Sequence, residues 1–321
     1  MKNQKLLPFS FPPVAKHGML GQLAGAGAVA ETARACFGGG TSTNSNAGMT
    51  DIIDYVDMAS DSNASDFGDI LSATRLTPVG TSNATRGLYS GGYTGSVINV
   101  IQYITIDSTG DASDFGNLQS AKHTMSSCSS ETRGIFGGGG GSVNVIGYVT
   151  VDTTGNASDF GDLTSGRGAL ASASNGSRGT FAGGEPDSNV IDYITIDSTS
   201  NATDFGDLTT ARAELAGSGN ATYGVFGGGH TSTQIDTIDF ITIDTTGDAE
   251  DFGDLTSALS FLSSAGGINL CLFAGGYTGT GDVCSNVIQK VSFDSTGDAS
   301  DFGDLTLGRQ QHGGLSSYVP S

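Results

Sequence analysis

The sequence predicts an all-β chain, a closed six-bladed β-propeller with four antiparallel strands in each blade. Three observations predict it. The segment Asp-Phe-Gly-(Asp/Asn)-(Leu/Ile) occurs six times, with its phenylalanines at Phe67, Phe115, Phe160, Phe205, Phe252 and Phe302, spaced by 48, 45, 45, 47 and 50 residues. A self-similar period of that size marks a stacked or radial repeat. Every copy also divides into four short β-prone runs bounded by Gly-rich turns, the make-up of one propeller blade. Finally, no copy holds an apolar run of period 3.6 long enough for a helix, which excludes the helical solenoids.

The four strands can be followed in order, with residues 210–256 as the type unit. The first is built of small residues, as in Ala169-Leu170-Ala171-Ser172-Ala173, which suits a crowded position near an axis. The second ends in an aromatic followed by small residues: Phe37, Tyr89, Phe136, Phe181, Phe226 and Phe273. The glycines after it let the backbone turn or approach a neighbour without a Cβ clash. The third is the most β-prone, as in Val190-Ile191-Asp192-Tyr193-Ile194-Thr195-Ile196, with large apolar groups on both faces. Such a strand suits a sheet stacked between two others. The fourth carries the Asp-Phe-Gly motif, reached through an Asp-Ser/Thr-Thr-Gly-Asp/Asn turn.

The unit resembles the kelch repeat. Basic residues open the first strand at Arg75, Lys122, Arg167, Arg212 and Arg309, with Leu259 departing. Double glycines close the second strand, among them Gly91-Gly92, Gly137-Gly138, Gly183-Gly184, Gly227-Gly228 and Gly275-Gly276. The third-strand aromatics are Tyr55, Tyr103, Tyr148, Tyr193 and Phe240, with Lys290 departing. The tryptophan that the family carries in the fourth strand is replaced by the motif phenylalanine. The near-identity of the copies also resembles repeats in tail and other virion proteins of marine bacteriophages.

Formal net charge is −20, with 13 Lys and Arg in 321 residues. That balance excludes nucleic acid and anionic membrane surfaces as expected partners, since both need a basic face. No stretch is long and apolar enough for a transmembrane helix. Pro8, Pro12 and Pro13 interrupt the first residues, which are not read as a signal peptide. Cys36, Cys128, Cys271 and Cys284 form no CxxC pair, so neither a zinc site nor a disulfide framework is expected.

Residues 31–321 are therefore read as one propeller and residues 1–30 as an N-terminal arm. Gly308–Val319 matches a first strand with no second strand after it, and it is expected to close the ring beside residues 32–72. The alternative places Ala24–Ala30 in that role. In the arm, Leu6, Leu7, Phe9 and Phe11 are apolar anchors that no blade needs, so the arm is expected to dock to other virion proteins.

No catalytic motif stands outside the repeat, and the chain is expected not to be an enzyme. The Asp-rich turn, as at Asp107, Asp111 and Asp114, invites a structural calcium. The exchange of Asp111 for Asn63, Asn156 and Asn201 favours simple turn propensity instead, and no cofactor is expected. His17, His123, His230 and His312 read as surface or turn residues. The carbohydrate-oxidising kelch enzymes need a copper site of Tyr, His and a Cys–Tyr crosslink, which these residues do not assemble.

Length variation points to a binding face. From the second-strand aromatic to the motif phenylalanine the distances are 30, 26, 24, 24, 26 and 29 residues, whereas onward to the next aromatic they are 22, 21, 21, 21 and 21. The variable loops thus join the second and third strands, and the longest belong to blades 1 and 6. Thr41, Asn44 and Asn46 with Tyr277, Thr278 and Asp282 are the expected ligand-contacting residues. The function expected is a non-enzymatic virion component of tail or tail periphery, assembled in the host cytoplasm, that meets a host-surface glycan or protein. The alternatives are a bacterial adhesin or scaffold and, behind it, the oxidase.

Overall fold

The computed structural model describes residues 31–71, 75–281 and 283–320. They form six four-stranded antiparallel sheets. Blade 1 holds β1 (Arg34–Gly38), β2 (Ile52–Asp57) and β3 (Ser65–Asp69). Blade 2 is β4 (Val79–Ser82), β5 (Arg86–Ser90), β6 (Val100–Thr105) and β7 (Ser113–Asn117). Blade 3 is β8 (Ser126–Ser129), β9 (Arg133–Gly137), β10 (Val145–Thr150) and β11 (Ser158–Asp162). In blade 4 follow β12 (Ala171–Ser174), β13 (Arg178–Ala182), β14 (Ser188–Thr195) and β15 (Thr203–Arg212). Blade 5 contains β16 (Ala216–Gly219), β17 (Tyr223–Gly227), β18 (Thr237–Thr242) and β19 (Glu250–Asp254). Blade 6 is β20 (Ser263–Gly266), β21 (Leu270–Ala274), β22 (Val287–Ser292) and β23 (Ser300–Asp304). The last strand, β24 (Gly313–Ser316), pairs with β1 and completes blade 1, so the C-terminal strand closes the ring.

Small side chains let the six inner strands crowd the axis. Ser127 Oγ donates to the Gly80 carbonyl at 2.7 Å and Ser264 Oγ to that of Gly217 at 2.8 Å, each reaching the preceding blade. Ser172 and Ser174 reach back to Ser127 and Ser129 in the same way. Gly80 and Gly314 take a serine's place where the neighbouring backbone comes close, since a Cβ there would stand 2.4 Å from the Gly314 oxygen and 2.3 Å from the Ser264 oxygen, respectively. These inner strands are shorter than the sequence implies. Thr210–Arg212, counted as the start of a first strand, finishes β15 instead.

At the outer rim, the Asp-Phe-Gly motif is a latch to the next blade. Each motif phenylalanine is buried and meets the third-strand aromatic edge to face where one exists, as in Tyr55–Phe67 with centroids 6.0 Å apart. The Asp or Asn of the following blade's turn accepts from the amide two residues after the phenylalanine: Asp69 N–H to Asp111, Asn117 N–H to Asn156, Asp162 N–H to Asn201, at 3.0–3.1 Å. The series runs on through Asp207–Asp248, Asp254–Asp298 and Asp304–Asn63, the last sealing blade 6 to blade 1. Asp and Asn exchange here because both carry an Oδ1 acceptor. That corrects the reading of the exchange as turn propensity alone.

Basic side chains are spent inside this frame. Arg167, Arg212 and Arg309 are buried in ion pairs with Asp192, Asp239 and Asp54 at 2.6, 3.3 and 3.2 Å. Arg75 is as buried without a carboxylate partner among the described residues, and burial pushes its pKa down to about 10. Arg34, Arg86, Arg133 and Arg178 lie over the rings of Tyr55, Tyr103, Tyr148 and Tyr193, 4.3–4.8 Å from the centroids. Lys122 is buried and Lys290 pairs with Asp61. Every basic side chain among the described residues is thus engaged.

His312 is not the surface residue expected. It is 6% exposed and occupies the place that Leu170, Leu215 and Leu262 fill in other blades, packed against Gly275 and edge-on to Phe37. Neither ring nitrogen has a hydrogen-bond partner among the described residues, and burial, then Arg309, push its pKa well below the usual histidine value.

Candidate functional site: the open mouth of an axial pit

The inner strands enclose a pit of about 190 Å³ on the axis. One end is covered. After β24 the chain crosses from blade 1 to blade 4, where the Pro320 oxygen lies so close to Gly176 that a Cβ there would stand 2.1 Å from it. Tyr318 and Pro320 line the pit. The other end widens into a bowl of about 380 Å³, on the face that the second-to-third-strand loops share with the connections between blades.

Two concentric rings of residues build this mouth. The inner ring is Thr77, Thr124, Ala169, Glu214, Phe261 and Gln311, each two residues after the position of the buried basic side chain. All six have left-handed backbones, with φ from 49° to 63°. Five hydrogen bonds run around the axis between them, from Thr77 N–H to Gln311, Ala169 to Thr124, Glu214 to Ala169, Phe261 to Glu214 and Gln311 to Phe261, at 2.7–2.9 Å. The outer ring is Thr41, Tyr93, Gly140, Glu185, His230 and Tyr277. Backbone bonds of 2.7–3.2 Å hold these to Gln310, Leu76, His123, Gly168, Ala213 and Ser260, the neighbours of the inner ring. The backbone is therefore near-invariant at both rings, while the side chains range from methyl to carboxylate to phenyl.

The sequence-expected patch is only partly in this bowl. Asn46 is exposed and lines it. Thr41 is 2% exposed, and its hydroxyl bonds the Ser45 carbonyl at 2.9 Å within its own loop. Tyr277 Oη donates to the Gly281 carbonyl at 3.1 Å and Thr278 Oγ1 to that of Val283 at 3.1 Å. Asn44 is exposed beside Gln310. The loops of blades 1 and 6 do meet, with Cys284 Sγ 3.7 Å from the Thr41 oxygen. Asp282 and the arm residues Leu6, Leu7, Phe9 and Phe11 lie outside the described residues.

What sequence reasoning missed is the inner ring. Its signal was present, because these are chemically varied positions in otherwise repetitive copies. Glu214 is half-buried, and burial, together with the nearby Glu185 and Asp187, raises its pKa, which the Ser260 hydroxyl and then His230 partly offset. Among the described residues, no group of three or more His, Cys, Asp or Glu side chains is placed to hold a metal ion, and no helix is long and apolar enough to cross a membrane. The chain matches no protein-family model and no curated protein sequence.

Proposed function

We propose that this chain is a non-enzymatic binding propeller of a phage virion, seated in the tail or at its periphery, with the mouth of the pit turned toward the host surface. The observation that carries this reading is the contrast between the two faces. One repeats the same latch six times and is covered at its centre; the other keeps a constant backbone and varies its side chains around an open bowl. Near-identical repeats, the kelch-like unit and the acidic balance support the virion setting. Glu31 bonds the Asn269 amide at 3.1 Å in a loop of the covered face, so residue 31 stands opposite the bowl. A docking segment before it fits that geometry.

Adsorption assays with engineered virions test this. Shortening the loops of residues 38–51 and 275–286 to the blade 3 length is expected to abolish host binding and leave the melting temperature intact. Deleting residues 1–20 is expected to block incorporation instead. Host binding that survives the loop changes but fails on substitution of the third-to-fourth-strand turns would reverse the assignment of faces. Sugar oxidation by the purified protein, abolished by a chelator, would overturn the non-enzymatic reading.

A further inference from the structure

We infer that the mouth of the pit binds an amino sugar, its protonated amine held by Glu185 and Glu214 and its ring against Phe261. This rests on the bowl facing outward for binding, as proposed above, and names the ligand class.

Three observations carry it. The first is retained strain. A left-handed backbone costs a residue with a Cβ about 1 kcal/mol relative to glycine. This chain has 51 glycines, yet none of the six inner-ring positions is glycine. Side chains are kept where the backbone alone would favour their loss. The second is charge. The carboxylates in the bowl lining are Glu185 and Glu214, no lysine or arginine joins them, and neither is in an ion pair among the described residues. His123 also lines the bowl, but every described lysine and arginine is engaged elsewhere, so the permanent charges there are the two carboxylates and they disfavour an anionic ligand. An ammonium group relieves the mutual repulsion that already acts on Glu214. The third is the remaining lining. Phe261 and Tyr93 offer aromatic rings, while Asn46 and Gln311 offer amides that donate to and accept from hydroxyls. The bowl's volume is within the range of small-ligand sites.

The test is titration calorimetry on the full chain with three probes: a β-1,4-linked glucosamine dimer, the same dimer N-acetylated, and Nα-acetyl-lysine amide. The free-amine dimer is expected to bind, and the acetylated dimer and the lysine derivative at least about tenfold more weakly. Glu214→Gln and Glu185→Gln are each expected to weaken the amine dimer by about 10- to 100-fold, the loss of one charge-assisted hydrogen bond. Gln311 already occupies the equivalent ring position, so Glu214→Gln is compatible with the fold, and unchanged melting curves check this. Asp197→Asn on the opposite face is the control and is expected to change nothing. Equal binding of the acetylated dimer, equal binding of the lysine derivative, or binding indifferent to both Gln substitutions would each overturn the inference. Should the amine dimer fail to bind while host adsorption still maps to the bowl, the inference fails and the proposed function stands.

Discussion

Replacing Arg167 by Leu should destabilise the propeller by about 3–5 kcal/mol, and adding Asp192→Gln should recover most of that loss. Arg167 and Asp192 sit 2.6 Å apart with side chains 2% and 0% exposed. At an effective dielectric of about 20 their attraction is about 6 kcal/mol, largely offset by the cost of taking both charges out of water. Asp192 also accepts from Thr164 N–H and Oγ1. Losing Arg167 strands a buried carboxylate with only those two bonds. The protein itself shows the neutral solution: at the equivalent place in blade 6, Leu259 replaces the arginine and Gln289 accepts from Thr256 N–H and Oγ1 at 2.8 and 3.0 Å. Asp192→Gln alone leaves a buried guanidinium without a carboxylate, the situation of Arg75, and should cost about 1–3 kcal/mol. A double-mutant cycle by urea unfolding reads the coupling, which these figures place at about 3–6 kcal/mol. A double variant that costs the sum of the two singles would refute the reasoning, because the Leu–Gln pair of blade 6 would then not be an equivalent solution.

Three further outcomes are expected. His312→Leu should raise stability near neutral pH by about 1–3 kcal/mol, since it replaces an imidazole with two unsatisfied nitrogens by the residue that other blades use. The wild-type contribution is constant above pH 6.5, where both states hold the ring neutral. Below it the unfolded chain takes up the proton first, and stability falls by about 1.4 kcal/mol per pH unit until the depressed native pKa is reached. Denaturation midpoints between pH 7 and 5 should show that slope in the wild type and its reduction in the variant; parallel curves would refute it. Asp111→Asn should change stability by under about 0.5 kcal/mol, and Asp111→Ala should cost about 1 kcal/mol, because only the Oδ1 acceptor matters to the latch; equal losses in thermal melts would show that turn propensity decides. Removing residues 313–321 should open the ring, uncover the β1 edge and cause concentration-dependent association in sedimentation, whereas removing 318–321 should leave a monomer with the covered end of the pit exposed. Equal behaviour of the two truncations would place closure elsewhere than β24.

The sequence by itself determined the blade count and the strand order, and it favoured the C-terminal strand over Ala24–Ala30 as the closing one, a choice that the pairing of β24 with β1 decided. Those follow from local information repeated six times: a phenylalanine every 45–50 residues, a β-prone run before it, and one unpaired first strand at Gly308–Val319. It also pointed to the variable face, through loop lengths alone. Tertiary structure decided which residues on that face share a space. The inner ring draws one residue from each of six distant segments, and only ring closure sets Thr77 beside Gln311. Thr41 looked like a ligand contact because a polar loop residue reads as exposed, but the loop folds onto its own carbonyls. His312 looked peripheral because a glycine-rich neighbourhood reads as a turn, yet the neighbouring blade covers it. The role of Asp111 and its counterparts was illegible for the same reason, since the amide each one receives belongs to the preceding blade. Periodicity reports what a chain does within one repeat; contacts between repeats are set by the geometry of stacking, which no single copy contains.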